Sequence, residues 1–208
     1  MIKWIPVALT LILTACSSKP ETTWYQLPSA HKGGAVSNSV TQRPAVFVQH
    51  ISVPDFLAGN GLVYQSSDVK YVIASNNLWA SPLDQQLQQT LIANLSGELP
   101  SWLVSGSPLI QQQDTLNVNI SDFHGRYDGH AVISGDWLLE HQGQIIKRSF
   151  ILTVPLREDG YDALVRSLAA GWQQEAQQIA QVIRQTGETS HRQDERDRSS
   201  DAVSQNEG

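Results

Sequence analysis

Apolar and polar residues alternate from Thr115 to Thr153, on both sides of Asp128-Gly129. A period of two places every second side chain on one face of a strand, and Asp-Gly is a strong two-residue hairpin turn. The stretch therefore reads as a hairpin with one buried face. A two-residue turn would pair Tyr127 with His130, Ile120 with Trp137 and Val118 with Leu139. One face then carries Leu116, Val118, Ile120, Ala131, Ile133, Trp137 and Leu139. The other carries Asn117, Asn119, Ser121, Ser134, Asp136 and Glu140, and Phe123, Val132 and Leu138 break the pattern. Gln142-Gly143 supplies a second two-residue turn. It puts Ile146, Phe150 and Leu152 on the apolar face, with Gly135 opposite Phe150, an aromatic-over-glycine packing device. The result is a three-stranded meander.

An apolar sheet face needs a cover. Leu83, Leu87, Leu91, Leu95 and Leu99 recur every fourth residue and form one stripe of a helix. Ser81 suits its cap, Pro82 its first helical position and Asp84 its first turn, and Pro100 closes it. A second helix is expected over Tyr161 to Arg184. Its stripe is Leu164, Val165, Leu168, Trp172, Ala176, Ile179 and Ile183, opposite a Gln-rich face. Upstream, Trp24–Leu27, Ala45–Val53, Leu62–Gln65 and Val69–Ala74 read as strands. The fold class is α+β: an antiparallel or mixed sheet, with a meander in its C-terminal half and two amphipathic helices on one face. Residues 24–185 form this domain. Residues 186–208 contain one large aliphatic side chain, Val203, and no aromatic, so a disordered tail is expected there.

The chain has 208 residues and a formal net charge of −6, with no Lys- or Arg-rich stretch. A nucleic-acid binder needs a basic footprint, so that class is excluded. A single Cys excludes an internal disulfide framework and multi-Cys metal sites. No G-x-S-x-G, H-E-x-x-H or P-loop occurs, and Gly59-Asn60-Gly61 is a turn without the third glycine of a dinucleotide site. Asp122, His124, Asp128 and His130 are four metal-capable residues within nine positions. In the two-residue register His124 and His130 point to opposite faces, and Asp122 shares the apolar face with His124. That arrangement predicts no metal site, and no catalytic residue or cofactor is expected. Of the tryptophans, Trp24, Trp79, Trp102, Trp137 and Trp172 each lie in or beside an apolar segment, so core packing is expected for most.

The first sixteen residues carry an address. Lys3 precedes an apolar run, Ile5 to Leu13, which is shorter than the ~20 residues that span a bilayer. It has the parts of a signal peptide, residues 1–15. Leu13-Thr14-Ala15-Cys16 resembles a bacterial lipobox. Cys16 would then take a diacylglycerol and an N-acyl chain such as palmitate, and residues 16–23 would be the tether. Two or more chains anchor stably where one does not. Ser17 is not the Asp that signals inner-membrane retention in Gram-negative lipoproteins, which implies the periplasmic side of the outer membrane.

Further motifs follow in order: Trp24-Tyr25-Gln26-Leu27, the run Val53 to Gly61 (VPDFLAGNG), Val63-Tyr64-Gln65, Val69-Lys70-Tyr71, the run Asn77 to Asp84 (NLWASPLD), Gly125-Arg126-Tyr127-Asp128-Gly129 and Gly160-Tyr161-Asp162. Together with the lipobox they resemble the ABC-type transport auxiliary lipoproteins over roughly Cys16 to Arg184. The resemblance implies a non-enzymatic component of an MCE-type system that moves lipids between the two membranes. Its implied partners are a periplasm-spanning MCE-domain protein, docked at the outer membrane, and a multipass inner-membrane protein. A homo-oligomer, as a ring matching the MCE ring, is the expected assembly. The Pro54–Gly61 loop, with Pro54, Asp55, Phe56 and Leu57, is the expected partner contact. The alternative is a periplasmic lipid carrier holding an acyl chain between sheet and helices, which requires an apolar cavity.

Overall fold

A computed structural model of the protein describes residues 21–29, 43–110 and 112–204, with the backbone alone over 189–204. Eight strands form one mixed sheet. Its spine is the meander of β6 (Asp114–Arg126), β7 (His130–His141) and β8 (Gln144–Pro155), paired antiparallel over almost their full lengths. The other edge of β6 is divided. β2 (Ala45–Val48) runs parallel to its first residues and carries β5 (Leu103–Ser105) beyond it. β3 (Gly61–Ser67) runs parallel to its last residues, followed by antiparallel β4 (Lys70–Trp79) and by β1 (Thr23–Tyr25), parallel to β4. The helices of the described residues are α1 (Asp55–Ala58, a single turn), α2 (Leu83–Glu98) and α3 (Tyr161–Ser204).

The α+β class holds: α3 packs on β6, β7 and β8, and α2 packs on α3 and reaches β5. Leu83, Leu87, Leu91, Leu95 and Leu99 are all buried, as is the whole expected stripe of α3. Trp172 locks the two helices, its Nε1 donating to the Leu87 carbonyl at 3.2 Å. Ser81 does not cap α2. Pro82 occupies the cap position with extended backbone and no side-chain cap bond, and the Ser81 carbonyl instead accepts from Gln86 Nε2 at 2.8 Å. The backbone of α3 is helical to Ser204, past the Arg184 at which the sequence reading ended it and into the stretch expected to be disordered. That stretch contains no proline to stop a helix already nucleated by its packed half.

The meander is present, but its first register differs from expectation. The turn is three residues, Tyr127-Asp128-Gly129, so Arg126 pairs with His130. A two-residue turn of the favoured type needs positive φ at both central positions. Among the described residues Asp128 does not adopt it, whereas Gly129 does, at φ 79°. The Gly129 N–H donates to the Arg126 carbonyl at 3.0 Å. Gln142 (φ 48°) and Gly143 (φ 78°) do form the expected two-residue turn, and Gly135 lies opposite Phe150. A bulge between Ile120 and Asp122 shifts β6 once more, giving Ile120↔Gly135 and Val118↔Trp137. An extra residue reverses which side chains face inward. Phe123 thereby turns into the core, which removes it from the exceptions, and Asp122 and His124 move to the outer face.

Candidate functional site

The four metal-capable residues do not converge. His130 pairs with Arg126 and so shares the outer face with His124, contrary to the two-residue register. Asp128 instead binds Arg126, whose Nε and Nη2 approach at 2.9 and 2.7 Å. That guanidinium, with His130 beside it, holds the Asp128 carboxyl down at about 2. Asp122 accepts from Ser134 Oγ at 2.5 Å and meets His124 Nε2 at 3.3 Å. The His124 bond is the largest influence lowering the Asp122 pKa; Ser134 adds to it against partial burial. His124 Nδ1 lies 2.9 Å from the Gly125 carbonyl. Among the described residues no three His, Cys, Asp or Glu side chains gather into a metal-sized group.

Although it lies on the outer face, His124 is buried. Tyr71 of β4 covers it edge-on, with ring centroids 5.1 Å apart, and Phe56 of α1 packs on Tyr71 at 5.2 Å. Two further polar pairs lie deeper, and periodicity gave no sign of either. Trp137 Nε1 donates to Glu175 Oε1 at 2.8 Å inside the helix–sheet interface. Burial raises the Glu175 pKa, opposed by that bond and by Arg148. His141 Nδ1 meets Asp114 Oδ1 at 2.8 Å, and burial raises the Asp114 pKa against that pairing. Among the described residues, Asp114 Oδ2 is buried without a hydrogen-bond partner. Among the described residues these groups pair with one another: Ser134 with Asp122, Asp122 with His124, Trp137 with Glu175, and Asp114 with His141.

Several large apolar side chains are exposed. Val69, Tyr71, Val72, Ile73 and Tyr127 are each 44 to 77 % exposed. The first four lie at the turn and start of the β3–β4 hairpin. Tyr127 lies in the β6–β7 turn at the same end, because β3 and β6 run parallel and Gln65 is aligned with Arg126. The signal in the sequence was the run Tyr71-Val72-Ile73, three bulky residues in a row where a half-buried strand would alternate. Grooves flank the first turns of α3. One, of about 460 Å³, is lined by Val154, Pro155, Arg157 and Arg166, and the other, of about 390 Å³, by Trp24, Tyr25, Asp162 and Arg166. The space between sheet and helices is filled by side chains that include Trp137, Phe150 and Trp172.

Cys16 and Ser17 lie outside the described residues. In the expected contact loop, Pro54 caps α1, Asp55 is exposed, Phe56 is half-buried against Tyr71, and Leu57 is a core residue at 1 % exposure. Leu57 is therefore withdrawn from any surface the loop offers. His50 Nε2 meets Asp84 Oδ2 at 3.1 Å. Trp79, Trp137 and Trp172 are buried and Trp102 is partly buried in the core, while Trp24 is 58 % exposed. Among the described residues no helix is long and apolar enough to cross a membrane.

Comparison with known proteins assigns the chain to a family. The chain is 54 % identical over 185 residues to the intermembrane transport lipoprotein PqiC of Escherichia coli K12, spanning 88 % of this chain and 98 % of that one. The Shigella flexneri protein of the same name matches equally. The crystal structure of an uncharacterized protein, 55 % identical, superposes with a TM-score of 0.71 over 78 % of this chain and 99 % of its own. Protein XCC0632 of Xanthomonas campestris shares the fold at 14 % identity, with a TM-score of 0.67 over 82 % of this chain and 99 % of its own. Residues 25–180 match the sequence profile of the ABC-type transport auxiliary lipoprotein component, and the chain belongs to that family.

Proposed function

We propose that this chain is a non-enzymatic lipoprotein of an intermembrane lipid-transport system of the MCE type. In this reading Cys16 carries the diacylglycerol and N-acyl chains, and Ser17 permits passage to the periplasmic side of the outer membrane. The folded domain self-associates, as a ring, and receives the end of a periplasm-spanning MCE-domain protein, whose other end meets a multipass inner-membrane partner. The observation that carries the reading is the 54 % identity, over 98 % of its length, to a protein named for intermembrane transport. Nearly full-length similarity at that level supports a shared role more strongly than a shared fold does. The chemistry agrees: the buried carboxylates Asp114 and Glu175 pair with His141 and Trp137, and large apolar side chains stand exposed at the β3–β4 hairpin. Asp55 and Phe56 remain the proposed contact of the loop, with Pro54 setting its entry and Leu57 holding it to the core. The packed helix–sheet interface does not favour the carrier alternative.

The test is an affinity pull-down from crosslinked envelopes, comparing the native chain with Cys16→Ala, with mass spectrometry of the bound proteins. The native chain is expected to recover an MCE-domain protein, and Cys16→Ala to lose it. Recovery of no MCE-domain protein by either chain refutes the docking role.

A further inference from the structure

We infer that the apolar tip of the β3–β4 hairpin, with Tyr127 beside it, is a second membrane contact that rests on the bilayer in which the N-terminal lipid is anchored. The inference depends on Cys16 being the lipidated residue. Its first support is chain direction. β1 enters the sheet parallel to β4, with Thr23 beside Asn77 and Tyr25 beside Trp79. Moving back from Thr23 therefore means heading along β4 toward Lys70 and the hairpin tip. Cys16 precedes Thr23 by seven residues, and Lys70 precedes Asn77 by the same number. At ~3.3 Å per residue, an extended tether of that length reaches ~23 Å, enough to bring the anchor level with the tip.

The chemistry of the tip supplies the second support. Tyr71 pairs with Gln65 and Val72 with Tyr64, so adjacent residues of β4 point to opposite faces of the hairpin. Tyr71 and Ile73 are exposed on one face and Val72 on the other, with Val69 in the turn itself. A protein partner laid against a sheet covers one face of it. A fluid layer surrounds a tip on both. Tyr71 and Tyr127 have an apolar ring and a polar end, and Lys70 has an apolar stem and a charged head, the side-chain types that settle at a membrane–water boundary. The anchor makes the contact intramolecular, so a small apolar area suffices to hold it. The lipid would then act as one point of attachment and the tip as another, fixing which end of the domain faces the membrane.

The experiment uses the full chain, in which the lipid occupies Cys16 and leaves no free thiol. Val72→Cys and Ile145→Cys are labelled with a nitrobenzoxadiazole fluorophore. Ile145 is exposed at the opposite end of the meander, where it pairs with Glu140. Both chains are reconstituted into vesicles of phosphatidylethanolamine and phosphatidylglycerol and floated through a density gradient. Quenching is then measured with aqueous iodide and with phospholipid bearing a doxyl group near the headgroup. The label at 72 is expected to lose most of its emission to doxyl lipid and little to iodide, and the label at 145 to do the reverse. If the chains float and the label at 72 behaves like that at 145, the tip is free in water and the contact is wrong. Shielding from iodide without doxyl quenching overturns it in favour of a protein cover, such as a second copy. A chain that does not float overturns the anchor itself, and this inference with it.

Discussion

The meander and the β3–β4 hairpin are built from the same secondary structure and are put to different use. In β6 and β7 the inward residues, joined by Phe150 of β8, are buried in the helix–sheet core, and their alternation with polar residues is what holds the register. In β4, Tyr71, Val72 and Ile73 pair with Gln65, Tyr64 and Val63 of β3, yet all three stay exposed in succession. Hydrogen bonding to a neighbouring strand thus fixes the hairpin without requiring a core. An apolar side chain contributes to stability only where something covers it. One region of the sheet is spent on folding, and the other is left available for contact.

The largest effect belongs to the covered region. Trp172 is 1 % exposed, packs on Phe150 and donates to the Leu87 carbonyl. Trp172→Ala is expected to cost about 3–5 kcal/mol in urea unfolding, the range for emptying a large aromatic site. A loss under about 1 kcal/mol would mean that the helices are not fastened to the sheet at this point. Next comes the buried carboxylate in the same interface. Glu175→Ala strands the Trp137 N–H, at about 1–3 kcal/mol, whereas Glu175→Gln keeps an acceptor there. Because burial raises the Glu175 pKa, the folded state takes up a proton more readily than the unfolded chain. Stability is therefore lost as pH rises through the folded value. Glu175→Gln is expected to raise the melting temperature at neutral pH, with the gain shrinking toward pH 4. A lower melting temperature for the Gln variant at every pH would contradict this.

Asp122 lies where the two regions meet, since its partner His124 is covered by Tyr71 of the hairpin. Its shift has the opposite sign. Its folded-state pKa is lowered, first by the His124 bond, so it contributes stability above the ordinary carboxylate range. That contribution is lost as pH falls from there through the folded value. Asp122→Asn is expected to leave less stability to lose in acid, giving a shallower decline of unfolding free energy below about pH 4. Parallel acid profiles for the native and variant chains would remove Asp122 from the list of groups that set acid stability.

Much of this was legible in the sequence, and the failures have physical causes. The leucine stripe of α2 and the stripe of α3 could be read because a helix facing a core must repeat every three or four residues. The pairing of Gly135 with Phe150 followed from one Gln-Gly turn. The first hairpin failed because Asp-Gly suits both a two-residue turn and a three-residue turn ending in glycine, and the sequence does not choose between them. The bulge at Ser121 was hidden for a related reason. An inserted residue is seen only as a break in alternation, and Phe123 was that break. The parallel alignments of β1, β2 and β5 join segments far apart in the chain, which local periodicity cannot register. The Trp137–Glu175 and Asp114–His141 pairs depend on three-dimensional juxtaposition alone. The exposed tip was announced by Tyr71-Val72-Ile73, a run that reads as a strand until its burial is known.

One substitution made in both regions gives the sharpest version of the comparison. Valine and threonine are close in shape and both branched at Cβ, so the exchange leaves strand propensity nearly unchanged and adds a hydroxyl. At Val118, 2 % exposed in the core face of β6, the hydroxyl would be buried, at a cost of about 1–3 kcal/mol. At Val72, 51 % exposed and paired with Tyr64 through a ladder that the exchange does not touch, the hydroxyl stays in water. Val72→Thr is therefore expected to fall within about 0.5 kcal/mol of the native chain in urea unfolding. Equal losses at the two positions would place Val72 in a packed environment and end the distinction between the regions. A neutral Val72→Thr beside a costly Val118→Thr would leave the tip's apolar character without a role in stability, so that its explanation must come from what the tip touches.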